Sequence, residues 1–135
     1  MTVQAGNLHG GCLCGSVRYR VVVIERTHLC HCEMCRRATG SAFAVLCWVK
    51  AENLHWVSAQ PKQRRSSLLA TRGFCFSCGA PLTLIYDKSD EVALYGGTLD
   101  APELAVPAYN YNNHARLSWV TCGATLPNHP STENW

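Results

Sequence analysis

The chain has 135 residues, a formal net charge of +3 from 12 Lys and Arg against 9 Asp and Glu, and 9 cysteines. That length suits one domain, expected over residues 1–135, with a single core that buries about two thirds of its unfolded surface. The opening MTVQAGNLHGG has no basic segment leading into an apolar run. The longest apolar stretch, residues 42–49, is too short to cross a bilayer, so a soluble, cytoplasmic protein is expected with no membrane partner.

The predicted elements are mostly short strands. Residues 16–24 alternate Arg18 and Arg20 with Val17, Tyr19 and Val21, the pattern of a half-buried strand. Residues 41–49 (SAFAVLCWV) read as a buried strand, and 54–57, 68–71, 82–86, 92–95 and 118–122 are further candidates. Residues 62–65 (KQRR) read as a solvated face. Helix is sparse: a turn or so from Cys32 to Ala38, and another starting near Asp100 or Pro102. The proline-rich end from Leu126 onward reads as irregular and prone to fraying. The fold class is therefore mainly β.

Seven of the nine cysteines fall into three clusters: Cys12-x-Cys14, Cys30-x-Cys32-x-x-Cys35 and Cys75-x-x-Cys78. In a reducing compartment such spacing points to metal binding or redox chemistry rather than disulfides. Residues two apart in an extended chain face the same way, so Cys12 and Cys14 can offer both sulfurs to one ion. Cys75 and Cys78, followed by Gly79, have the spacing of a zinc knuckle. Together the two pairs make a closed four-cysteine structural site for Zn2+. Cys30, Cys32 and Cys35 make a second site with only three thiolates, and a catalytic zinc is the kind that keeps three protein ligands and an open position. His28, two residues before Cys30, is an alternative fourth ligand, whereas His31 should point away. Iron is the alternative metal, which colour would distinguish. Cys47 and Cys122 sit in apolar contexts and read as buried core thiols.

Metal ligation also removes the case for a nucleic-acid partner based on charge. Seven thiolates add −7 and two zinc ions +4, which brings the formal +3 to about zero. An open three-thiolate zinc has a local charge of −1 and suits a soft ligand such as a substrate thiol, whose deprotonation it would favour.

Taken in order, Gly10-Gly11-Cys12-x-Cys14-Gly15-x-Val17-x-Tyr19, then Cys30-His31-Cys32-x-x-Cys35-Arg36-Arg37-Ala38-Thr39-Gly40-Ser41-Ala42-Phe43, then Arg72-x-Phe74-Cys75-x-x-Cys78-Gly79-x-Pro81-Leu82, and finally Gly97-Thr98-Leu99-Asp100 form a specific series. The chain resembles the glutathione-dependent formaldehyde-activating enzyme family, also called the centromere protein V family. The resemblance implies a zinc-containing β-tent, two packed antiparallel sheets with few short helices. It implies a structural zinc on Cys12, Cys14, Cys75 and Cys78, and a catalytic zinc on Cys30, Cys32 and Cys35. It further implies a carbon-sulfur lyase that joins glutathione, or a similar small thiol, to formaldehyde or another small aldehyde, giving S-hydroxymethylglutathione in the named reaction. Arg36, Arg37 and Arg116 are candidates to pair with glutathione carboxylates; surface charge or a bond to a backbone carbonyl is the alternative for each. The family often has a His-Ile-aromatic stretch nine residues before a tryptophan, and here that count back from Trp119 falls on Asn110, leaving the motif histidine absent or shifted to His114. The competing hypothesis is a non-catalytic zinc module that binds a protein or nucleic-acid partner. A purely structural module has no need of the middle cysteine cluster.

Overall fold

The computed structural model describes residues 3–129, and side chains from residue 8 onward. In chain order the strands are β1 (Val3–Gly11), β2 (Arg18–Ile24), β3 (Arg26–Cys30), β4 (Ala44–Lys50), β5 (Leu54–Trp56), β6 (Lys62–Arg65), β7 (Ala70–Phe74), β8 (Pro81–Tyr86), β9 (Glu91–Tyr95), β10 (Asn110–Tyr111) and β11 (Asn128–His129). A single α-helix among the described residues, α1 (Glu33–Thr39), follows β3, and short 3-10 turns such as Pro102–Leu104 fill connections. The protein is mainly β, as its alternating pattern requires. One sheet has the order β1-β2-β5 and the other β11-β10-β3-β4-β9-β8-β7-β6.

The pairing is antiparallel except around β10, which runs parallel to both β3 and β11. The expectation of wholly antiparallel sheets is corrected there, because β10 arrives through a long irregular connection rather than a hairpin. Residues 118–122 are not a strand. They form turns, and Cys122 is exposed rather than a core thiol. Apolar composition in that stretch served loop packing, and the Arg116 guanidinium donates to the carbonyls of Val120 and Cys122 at 3.0 Å each. Cys47 is fully buried as expected and accepts from the Thr27 hydroxyl at 3.5 Å. The irregular tail is in part the two-residue strand β11; residues 130–135 lie outside the described residues.

Besides the two-residue β10 and β11, three strands escaped the sequence pattern for different reasons. In β1 the run includes Gly6, Gly10 and Gly11, which have no side chain to show alternation. Gly10 is there because the Tyr19 ring lies where a Cβ would sit. β3 carries Thr27 and His28 and reads as polar, yet both are buried and bonded inside the sheet. β6 is exposed along its whole length, as a solvated face should be, but it is the charged edge strand of the large sheet. Lysine and arginine on such an edge discourage pairing with another chain.

The two sheets meet through Tyr19 and Val21 of β2, which pack with Cys47, Val49, Val92 and Leu94 of the large sheet. Two polar ties fix the join. The Tyr19 hydroxyl bonds Thr98 at 2.8 Å, and Arg18 pairs with Asp100 through both carboxylate oxygens. The Gly97-Thr98-Leu99-Asp100 motif is thus a fastening between sheets. A further cluster of Val17, Leu82, Cys12 and Cys75 lies at one end of the molecule, and a third, built on Leu46, Trp48, Leu84 and Tyr95, surrounds Cys30 and Cys35 at another place in the large sheet. No helix among the described residues is long and apolar enough to cross a membrane.

Candidate metal centres

Cys12 and Cys14 sit in the turn that leaves β1, while Cys75 and Cys78 sit in the turn between β7 and β8. The latter turn is a knuckle: Gly79 takes the left-handed conformation (φ 77) and donates its N–H to the Cys75 carbonyl at 2.8 Å. Glycine reaches that conformation without the Cβ penalty. The four sulfurs lie within 4.8 Å of one another, with Cys12 to Cys14 at 3.7 Å and Cys14 to Cys75 at 3.8 Å. Tetrahedral bonds of about 2.3 Å would place ligand sulfurs about 3.8 Å apart, so the set fits a metal ion. Backbone N–H groups of Val17, Ser77 and Cys78 point at the sulfurs of Cys12 and Cys75 at 3.3–3.4 Å, which supports thiolates there. Ser16, 3.2 Å from Cys14, helps to bring that thiol down to about 6.

The middle cluster is built at a strand-to-helix junction. Cys30 ends β3, Cys32 is the N-cap of α1, and Cys35 is buried within the first turn. The Cys32 sulfur accepts from the Cys35 backbone N–H at 3.3 Å, so one atom caps the helix and faces the cluster. Cys30 donates to Cys32 at 3.5 Å. That bond, one from Cys35 and the charge of Arg72 hold the Cys32 thiol well below its ordinary range, and hydrogen bonding to Cys32 pushes Cys30 up. The three sulfurs could hold one metal ion, and among the described residues no fourth ligand atom joins them.

His28 does not close this site. Its Nε2 accepts from the Trp48 indole N–H at 2.8 Å and its Nδ1 faces the Leu29 carbonyl at 3.3 Å, so both nitrogens are engaged. Burial pushes His28 down to about 4, from an ordinary value of 6.5. Between those two values the unfolded chain binds a proton that the folded one does not. Stability should therefore fall as pH drops through that window, by about 2 kcal/mol at pH 5. Urea midpoints at pH 7 and pH 5, taken with excess metal because thiolates also release metal in acid, should shift more for the wild type than for His28→Gln.

His31 points away from the sulfurs, as expected, and is fully buried. Its Nε2 meets the Asn110 Oδ1 at 2.9 Å, an oxygen that also accepts from Arg116 at 3.1 Å, so Nε2 is the protonated nitrogen. Asn110 in turn donates to the Gly123 carbonyl at 2.9 Å. The position at which the family motif has a histidine is here a node that ties the Cys30–Cys32 segment to the C-terminal loops. Arg116 also donates to Asn113 at 2.9 Å, and its bonds to two carbonyls realise the backbone role left open for the arginines. Arg36 is half-buried with Nε unpaired among the described residues, and Arg37 is exposed and pairs with Glu33 at 3.0 Å.

One hollow adjoins the three cysteines, and a second shares Arg72 with it. The larger, about 730 Å3, is walled by Trp48, Leu46, Leu84, Tyr86 and Tyr111 and is lined by all three cysteines. The smaller, about 470 Å3, is a basic groove with Arg37, Arg64, Arg65 and Arg72 on its walls. Arg72 borders both. Its guanidinium lies 3.6 Å from the Cys35 sulfur and 2.6 Å from the Tyr95 hydroxyl. Sequence reasoning quoted Arg72 within a motif but gave it no role. The available signal was its place on a strand three residues ahead of Cys75. The aromatic wall had none, because its members come from β4, β8 and β10.

The chain is a mainly β, cysteine-rich protein with two sulfur sets that could hold metal ions, one of four thiols and one of three at a cavity. The chain belongs to the glutathione-dependent formaldehyde-activating enzyme family, whose model matches residues 7–114. Among curated proteins none matches. A Rhodobacter sphaeroides protein of known crystal structure is similar in fold, with a TM-score of 0.58 and 22% identity over 69% of this chain and 88% of that one.

Proposed function

We propose that this protein is a zinc-dependent carbon-sulfur lyase that adds glutathione, or a similar small thiol, to formaldehyde or another small aldehyde, and catalyses the reverse step. The observation that carries the reading is the contrast between the two cysteine sets. One brings four sulfurs within reach of one ion; the other stops at three and borders a cavity. Family membership supports the reaction class.

Cys12, Cys14, Cys75 and Cys78 would hold the structural ion. Cys30, Cys32 and Cys35 would hold the second, which supplies Lewis acidity toward the reacting thiol or aldehyde oxygen. The residues of the chain set the scene for that chemistry. The Cys32 thiol is already poised to lose its proton. The Arg72 cation beside Cys35 offsets the net negative charge of three thiolates and one dication. Cavity walls of Trp48, Leu84 and Tyr86 put apolar surface beside the sulfurs, and a substrate that fills the cavity would displace water and strengthen each of these interactions. Arg37, with Arg64 and Arg72 in the same groove and Arg36 beside it on α1, would receive carboxylates of the thiol.

Because thiols add to formaldehyde unaided, the test is a rate. With protein carrying two zinc ions per chain, NMR should show S-hydroxymethylglutathione forming and exchanging faster than in protein-free buffer. Equal rates at full metal loading would remove the named activity.

A further inference from the structure

The cavity beside the three cysteines has a chemistry that formaldehyde does not need. Formaldehyde is little larger than a water molecule, which takes about 30 Å3. The cavity measures about 730 Å3. Its walls are mostly carbon: Leu46, Trp48, Leu84, Tyr86 and Tyr111 adjoin the core around Cys30 and Cys35, with Ser67 and Asn112 also on the lining. The polar atoms closest to hand are already used. The Trp48 N–H and His28 Nε2 satisfy each other, and the Glu33 carboxylate at the margin is held by Arg37. Among the described residues Arg72 is the one arginine or lysine on the wall.

Glutathione is equally unsuited to this space. It carries two carboxylates and an ammonium, and burying them against leucine and aromatic rings with a single arginine in reach strands charge at a cost of several kcal/mol each. The arginine groove on the other side of Arg72 suits those charges instead. The mouth of the cavity adds a separate sign. Leu68 and Leu69, at the tip of the β6–β7 hairpin, line it while remaining 93% and 63% exposed. Large apolar side chains left in water at the rim of an apolar hollow are satisfied when a ligand covers them.

We propose that the carbonyl substrate of this centre is an aldehyde bearing a bulky apolar body, arylalkyl or branched aliphatic, that fills the cavity between Trp48, Tyr86 and Leu84 and is covered by Leu68 and Leu69. The inference rests on the lyase reading above and narrows it. The reaction is an addition with no redox change. The thiol sulfur forms a bond to the carbonyl carbon, the carbonyl π pair moves to oxygen, and the thiol proton ends on that oxygen to give an S-(1-hydroxyalkyl) thioether.

The test pairs two aldehydes of like electrophilicity, propanal and 3-phenylpropanal, with the same thiol. Burial of the phenyl ring should raise kcat/KM on the order of 100-fold for 3-phenylpropanal. The double variant L68S/L69S changes only exposed side chains and should lower kcat/KM for 3-phenylpropanal by roughly tenfold. Binding is read without turnover by titrating the zinc-loaded protein with 3-phenyl-1-propanol and following the Trp48 indole resonance in 15N–1H spectra, where a saturable shift is expected. Equal kcat/KM for the two aldehydes together with an unmoved Trp48 resonance would overturn the proposal. No turnover with any aldehyde while the alcohol still shifts Trp48 would sink the lyase reading and leave the apolar ligand class standing.

Discussion

Cys75→Ser should cost the protein its ordinary thermal stability, with a drop in Tm of about 15 °C or more and loss of one zinc ion per chain. The reason is positional. Cys75 is fully buried, accepts two backbone N–H groups, and faces Cys14 from 61 residues further along the chain. A cross-link that closes a loop of that length removes about 4 kcal/mol of chain entropy from the unfolded state. The cluster it anchors is small, with Val17 and Leu82 as its buried hydrocarbon members, so packing there cannot replace the tie. Against a total stability of about 5–15 kcal/mol the loss is a large fraction. Thermal melts followed by circular dichroism, with zinc measured on the same samples, check it. A variant that melts with the wild type would show that the four-cysteine set does not hold the sheets together.

The second large effect is the opposite combination. Cys32→Ser should remove the other zinc and lower kcat/KM for thiol addition by a factor of roughly 1,000 or more, while Tm moves by only a few degrees. Serine is a good N-cap, so the bond now made by the Cys32 sulfur to the Cys35 N–H has a natural replacement and α1 should persist. The side chain is half-buried at the cavity, on the margin of the cluster around Cys30 and Cys35. Zinc stoichiometry falling from two to one with an unchanged melt separates an open reactive centre from a structural one. Global unfolding would instead make the three-cysteine set structural and favour a non-catalytic module.

The two cysteine sets were legible in the sequence because metal ligation is local in sequence even where it is global in space. Two residues in an extended chain, or four in a knuckle, bring sulfurs to one ion whatever surrounds them. The half-buried strand β2 was legible for the same reason, since its alternation is written residue by residue. Strand β3 was not. Its polar Thr27 and His28 find partners in Cys47 and Trp48, each twenty residues away, and only pairing with β4 makes them compatible with burial. Cys122 shows the reverse error, as an apolar neighbourhood in sequence became an exposed turn once Arg116 gathered the loop carbonyls.

Asn110 separates what each level decides. From sequence it was a missing histidine in a family motif; in the fold it is a buried partner of His31, and its neighbours Tyr111 and Asn112 are the residues that face the cavity. The sequence by itself determined the ligand chemistry, four thiols and three, and the β character of the chain, because both depend on short-range spacing. The tertiary structure decided that the open set borders an apolar cavity on one side and an arginine groove on the other. Those walls come from β3, β4, β6, β7, β8, β9, β10 and α1, and no local pattern records which strands the long-range pairing will make neighbours.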